Sequence, residues 1–172
     1  MKVEIQYLDH VEASETEGLD EMLITVNRCA AVTKGGRRFS FSALSVCGNR
    51  GGIVGYGFGK ASQVPSAIEK AAKDGRKHLM RVPVTDTGSI PHEVTGYFRG
   101  AHVRLIPASD GTGLTAGQSV RAVCEMAGIS NILTKSYGST NPMNLIKATL
   151  DALAQLRTRE QVKELRGVEL GS

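Results

Sequence analysis

Cysteine is scarce in this 172-residue chain: Cys29, Cys47 and Cys124 are odd in number and far apart, and no two stand in a Cys-x-x-Cys pair. That spacing argues against a disulfide framework and against a cysteine-based zinc site, and it suits a reducing cytoplasm. No apolar run approaches the roughly 18 residues that a spanning helix needs, so no membrane role is expected. The acidic beginning does not resemble a secretory signal. Internal repeats and low-complexity tracts are absent as well. What is present is the composition of a soluble globular protein, with 41% hydrophobic and 22% charged residues. The length allows one large domain or two small ones.

Acids are missing from one particular stretch. Residues 1–21 hold seven acidic residues against Lys2 alone. Residues 22–81 hold eleven lysines and arginines against only Glu69 and Asp74, and residues 82–172 are nearly balanced, nine basic against eight acidic. The overall charge of +4 therefore understates a block of sixty residues that carries +9. Solvated surfaces generally mix signs, so such a block is the electrostatic footprint of a polyanion partner.

Residues 1–21 lack periodicity and are expected to form an acidic extension. Residues 23–32 read as a strand ending at a turn over 33–38, where Gly35 and Gly36 permit a tight or looped hairpin. Phe39 and Phe41 alternate with Ser40 and Ser42, the period of a half-buried strand that runs to a glycine-rich turn at 48–52. In the third strand Val54, Tyr56 and Phe58 share one face. Gly55, Gly57 and Gly59 leave the other bare, so something is expected to approach its backbone closely. A helix opens at Pro65, with Val64, Ile68, Ala72 and Leu79 on one face and Lys70, Lys73 and Lys77 on another. The order β-β-β-α with a basic helix matches the double-stranded-RNA-binding module, which reads duplex shape, phosphates and 2′-hydroxyls. Phe39, Phe41, Tyr56 and Phe58 are expected beneath that helix as sheet core.

Residues 83–88 are turn-rich and read as a linker. Beyond them, 90–98 and 101–106 look like strands, and the small-residue loop 111–117 opens a helix through Val120, Val123 and Met126 that Gly128 terminates. Residues 129–134 read as a strand and 135–140 as a polar loop. Asn141 caps a last helix with Pro142 just inside, burying Leu145, Ile146, Leu150, Leu153 and Leu156. The expectation is an α+β chain: an extension (1–21), a β-β-β-α domain (22–84), a β-β-α-β-α domain (85–158) and a tail (159–172).

Catalytic and nucleotide signatures are thin. Gly59-Lys60 lacks the earlier glycine of a phosphate loop, because Val54 stands there, and Ala61 replaces the metal-binding hydroxyl. The four histidines show no metal-ligand spacing, and no serine, histidine and acid form a nucleophile elbow. Asp110 before Gly111 is ordinary turn chemistry. No enzyme activity, metal or cofactor is expected. The cations are the better candidates: Lys34, Arg37 and Arg38 on one hairpin, Arg50 and Lys60 on flanking turns, and Lys70, Lys73 and Lys77 on the helix. Arg28, near the end of the first strand, is a further candidate.

The ordered motifs are specific. Residues 36–44, Gly48-Asn49, residues 52–57 and 64–68, then Pro91-His92, residues 107–113, Ala116-Gly117, Arg121-Ala122-Val123, Ala127-Gly128 and residues 137–142 together resemble the bacterial family of protein number five of the small ribosomal subunit. The likeness covers roughly residues 22–156. The turn Asn49-Arg50-Gly51 departs from the family's usual Asp-Gly-Asn and adds a cation, and Gln63 stands where an acid is common. The resemblance implies a variant double-stranded-RNA-binding domain on small-subunit ribosomal RNA, followed by a two-layer sandwich with a left-handed crossover, a fold shared with translocase domains and small-molecule kinases. It implies a hairpin loop over residues 32–38 that reaches toward the subunit's neck and head. It also implies contacts with ribosomal proteins four and eight, proximity to messenger RNA where it enters the cytoplasmic ribosome, and an influence on decoding accuracy. Gly35 and Gly36 would let the hairpin backbone lie close to RNA, while Arg121, Gly138 and Ser139 would dock neighbouring proteins. A free-standing duplex-RNA regulator and a kinase-like enzyme would share one domain each; fold alone does not separate them from the ribosomal reading.

Overall fold

The computed structural model describes residues 18–167. The expected acidic extension up to residue 17, and the expected tail from residue 168, lie outside the described residues.

Strands β1 (Asp20–Thr33) and β2 (Gly36–Gly48) meet at a two-residue turn, because Thr33 pairs with Gly36 and only Lys34 and Gly35 connect them. Gly36 has φ +141°, a backbone conformation that a side chain would strain. β1 opens at Asp20, two residues inside the stretch expected as extension. β3 (Ile53–Ala61) pairs with β2 only from Phe41 inward. Beyond that point β1 and β2 continue as a two-stranded arm.

The bare face of β3 meets the chain's own helix. A Cβ on Gly57 would stand 1.9 Å from the carbonyl oxygen of Ala71, and one on Gly59 would stand 2.2 Å from that of Ala67. Both partners belong to α1 (Val64–Gly75), which therefore packs backbone against backbone over Ala43, Ala67 and Ala71. The helix ends at Gly75, short of the expected Leu79. Lys77 lies in the connecting turn, and β4 (Leu79–Arg81) adds a fourth strand in the order β1-β2-β3-β4. Sheet pairing wins there because Leu79 and Met80 bury against Gly55 and Val54, which also covers an edge that would otherwise lie open.

The opposite face of this sheet is covered by the second half of the chain. Leu44, Val46 and Val54, with Met22, Ile24 and Tyr56 packed on them, join one core with Val120, Val123 and Met126 of α2 (Gln118–Ala127). The turn after β2 is bonded to the end of that helix: Arg50 N–H donates to Met126 O (3.0 Å) and Gly52 N–H to Ala127 O (3.0 Å). The first sheet is thus held between α1 and α2.

The second sheet has the order β5-β6-β8-β7, with β5 (Val94–Phe98), β6 (Ala101–Pro107), β7 (Leu114–Thr115) and β8 (Ile132–Gly138). β7 and β8 are parallel, joined by α2, and the other pairings are antiparallel. α3 (Pro142–Ala154) covers the inner face, close enough that a Cβ on Gly96 would meet Ala148 O at 2.1 Å. Gly128 ends α2 at φ +84° and Asn141 caps α3 through Met143 N–H (3.1 Å), both as expected. Two expectations need correcting. The loop 111–117 contains β7, and β8 runs through the stretch read as a polar loop, since only alternate residues of a half-covered strand need be apolar. A further helix, α4 (Arg159–Arg166), occupies the start of the expected tail, capped by a Thr158/Gln161 capping box at its boundary, and buries no residue.

Candidate nucleic-acid interface

All nine candidate cations are exposed, but the fold gathers only some of them. Lys34 sits at the tip of the arm. Strand register puts Arg28 and Arg37 on the side of the sheet that carries α1, and Arg38 and Lys60 on the other. The arm therefore presents charge on both faces and at its end. Lys70, on the exposed side of α1, brings its Nζ to 3.5 Å from the carbonyl oxygen of Lys60 and joins the helix to the root of the arm. Among the described residues no acid lies within ion-pair distance of Lys34, Arg37, Arg38, Lys60, Lys70 or Lys73.

Arg50 is not brought to this group. It stands at the other end of the 13-residue β2, about 40 Å from the tip at strand rise, and its Nε pairs with Asp20 at 3.0 Å. Arg76 similarly pairs with Glu21 at 3.2 Å. Two acids counted with the extension thus neutralise two cations of the basic block, and free positive charge concentrates on the arm and the helix.

The arm also corrects the aromatic expectation. Phe41 and Tyr56 are half-buried against the core, but Phe39 is 43% exposed and Phe58 46%. Phe39 lies on the arm beyond β3, and the Arg28 guanidinium stacks 3.8 Å over its ring. This contact gives Arg28 a fixed direction at the arm's root. Phe58 alternates with Gly57 and Gly59 and so points away from α1. The glycines of the turn have open space: nothing lies within 4 Å of where a Cβ on Gly35 or Gly36 would be.

Arg121 falls beside the free edge of β8, which β7 covers only at Ile132 and Leu133, whereas Gly138 and Ser139 lie at the strand's far end against Gly100 of the β5–β6 turn. Arg121 helps line a groove of about 340 Å³ with Gly117, Thr134, Lys135 and Ser136. Gly138 turns at φ +73° against Gly100 O, and the Ser139 hydroxyl accepts from Asn141 N–H (3.4 Å) and Asn144 Nδ2 (3.5 Å). Ser139 therefore supports the start of α3 as well as edging this surface.

Nothing in the described residues converges as a catalytic set. Burial pushes the Cys47 thiol up to about 11 and that of Cys124 up to about 12, so neither is a thiolate near neutrality. The hydrogen bond from Arg104 holds the exposed Glu93 carboxyl below its ordinary range. Asp110 accepts from Gly111 N–H (2.9 Å) and Asn131 Nδ2 (3.2 Å), a turn role. No group of three or more potential metal ligands occurs among the described residues. Two structural residues carry no signal in the sequence. Asn131, 5% exposed, ties Thr87 O, Asp110 and Gly113 N–H together. Lys147 reaches Tyr56 and Phe98, one ring from each sheet, at 5.4 and 4.9 Å.

Comparison with known proteins gives this arrangement its class. Residues 19–83 match the model described as ribosomal protein S5, N-terminal domain, and residues 96–166 the model described as ribosomal protein S5, C-terminal domain. Such proteins are structural constituents of the small ribosomal subunit and not enzymes. The chain is 56% identical over 151 residues to the small ribosomal subunit protein uS5 of Rhodopirellula baltica, covering 88% of this chain and 85% of that one. It is 46% identical over 159 residues to the protein of the same name from Blochmanniella floridana, covering 92% and 90%. The chain belongs to the ribosomal protein S5 family, and its place is the ribosome. No helix of the described residues is long and apolar enough to cross a membrane.

Proposed function

We propose that this protein anchors on small-subunit ribosomal RNA through the β1–β2 arm and the adjoining face of α1, in a cytoplasmic ribosome. The observation that carries this reading is the projecting arm itself, with Lys34, Arg37 and Arg38 at its end meeting no acid among the described residues and Lys60 and Lys70 at its root. Residues 22–84 act as the RNA-binding domain and residues 85–158 as a docking domain. Each phosphate neutralised releases condensed counterion, so affinity should fall steeply with salt. Open space at Gly35 and Gly36 lets the turn's backbone approach the RNA. Arg50 and Lys77 supply secondary contacts at the far end. The free edge of β8 beside Arg121, together with its end at Gly138 and Ser139, supplies the surfaces for ribosomal proteins four and eight. The arm's position near incoming messenger RNA links the protein to decoding accuracy.

The test is sedimentation of a cell lysate through sucrose gradients at low and high salt, comparing the wild type with Lys34→Ala/Arg37→Ala/Arg38→Ala. The wild type is expected to travel with small subunits in both salts and the triple variant to wash off at high salt. A wild-type protein that stays at the top of both gradients would sink the ribosomal anchoring and favour a free duplex-RNA regulator. For the docking surface, Arg121→Glu should alter miscoding in a reporter assay, and an unchanged error rate would remove Arg121 from it.

A further inference from the structure

Apart from Lys135, which also lines the groove beside Arg121, the outer face of the second sheet has no role in what precedes. Its inner face lies under α2 and α3, while Thr95 and Tyr97 of β5, His102 and Arg104 of β6, and Leu133, Lys135 and Tyr137 of β8 point the other way. Register places Tyr97 opposite His102 and His102 opposite Tyr137, so three rings form one row across three strands. Tyr97 is 60% exposed and Tyr137 50%. Tyr97 and His102 meet edge to face with centroids 4.9 Å apart. The next row along the strands, about 7 Å away, is Thr95, Arg104 and Lys135. On the other side of the rings lies the β5–β6 turn, where the Arg99 guanidinium sits 5.6 Å over the ring of Phe98 on the inner face. The nearby carboxylates are both engaged: Glu93 accepts from Arg104 Nε (2.6 Å), and Asp151 accepts from Tyr97 N–H and Gln155 Nε2 (both 2.9 Å).

We infer that this face is a stacking platform for two or three unpaired nucleotides of single-stranded RNA, separate from the arm and independent of it. Aromatic side chains in a row on a sheet accept bases of any sequence, and Lys135, in the next row, meets a phosphate that connects them. A protein partner would call for an apolar centre; here the apolar residues, Leu133 and Ile106, lie at the edge of the patch and the rings are bordered by charge.

The chain has no tryptophan, so its four tyrosines carry the emission, and the part lost in Tyr97→Leu/Tyr137→Leu is the platform's own. The measurement is a titration of a ten-nucleotide oligouridine into the full chain carrying the arm substitutions Lys34→Ala/Arg37→Ala/Arg38→Ala, which weakens binding through the arm. Expected are quenching of tyrosine emission and a loss of affinity of about 30-fold or more on Tyr97→Leu/Tyr137→Leu, since each stacked base contributes about 1–3 kcal/mol. Tyr97→Phe/Tyr137→Phe should bind within about threefold of its parent, and Lys135→Glu should weaken binding with an unchanged melting temperature. The inference is overturned by a leucine variant that melts normally and binds as its parent does, or by no binding in the arm-substituted background. It is equally overturned if the leucine variant keeps its oligouridine affinity but fails to join small subunits, which would make the face a protein dock. Failure of the arm reading would show instead in duplex RNA binding and in the salt wash of the gradients.

Discussion

The two ends of the β1–β2 hairpin are built from similar residues for opposite purposes. At the inner end, residues 42–48 of β2 are buried beneath α1 on one side and α2 on the other. At the outer end, residues 30–39 are exposed on both faces, and the turn glycines have nothing near them. Glycine appears in both places: at Gly55, Gly57 and Gly59 it is required because another backbone occupies the space of a side chain, and at Gly35 and Gly36 it leaves that space free. The same residue type thus marks packing in one region and access in the other, and only the neighbours distinguish them.

The largest effects should come from breaking the packed end. Gly57→Val, whose Cβ would stand between Ala71 O and Gly75 N, should cost about 4 kcal/mol or more, beyond ordinary overpacking because backbone lies on both sides. Gly35→Ala should stay within about 0.5 kcal/mol. Comparable losses in chemical denaturation would erase the distinction between the two ends. Leu150→Ala, at a fully buried position of the shared core, should cost about 2–5 kcal/mol. Because that core also holds Leu44, Val46 and Val54, both sheets should melt in one calorimetric transition, and two resolved transitions would contradict the single core.

At the open end the effects should appear in binding instead. Lys34→Ala/Arg37→Ala/Arg38→Ala should weaken duplex RNA binding about 10–100-fold near 0.1 M salt. It should also flatten the salt dependence of log K by about two to three units, at unchanged melting temperature. Arg50→Ala should change RNA affinity far less, since Asp20 already meets that charge; equal losses would make the far end a primary contact and not a secondary one. The mildest contrast is chemical. Cys29, half-buried at the base of the arm, should react with a thiol reagent at pH 8 in the native protein. Cys47 and Cys124, held protonated by burial to about 11 and 12, should react only on unfolding.

Much of this was legible in the sequence because it rests on local chemistry. Paired glycines marked the hairpin, serine alternation marked β2, Gly128 and Asn141–Pro142 marked helix ends, and the missing acids marked the arm. What escaped notice depends on partners distant in the chain. Leu79 and Met80 continue a helical pattern, yet β3 offered an unpaired edge. Lys135 and Tyr137 look like a polar loop because only one face of β8 is covered. Asp20 and Glu21 counted as part of an acidic extension, and only the folded sheet reveals that they neutralise Arg50 and Arg76. Asn131 looks like one polar residue of the expected strand 129–134 until Thr87, Asp110 and Gly113 converge on it.

The bonds from Arg50 and Gly52 to the end of α2 lie far from the arm's tip, yet they govern its aim. From Phe41 outward the arm extends about 20 Å at strand rise, so a tilt of about 5° at its root would carry Lys34 nearly 2 Å sideways, enough to miss a phosphate. Clamped between two helices, the root has no hinge to tilt on, and the arm works as a pointer whose bearing is set at its mounting.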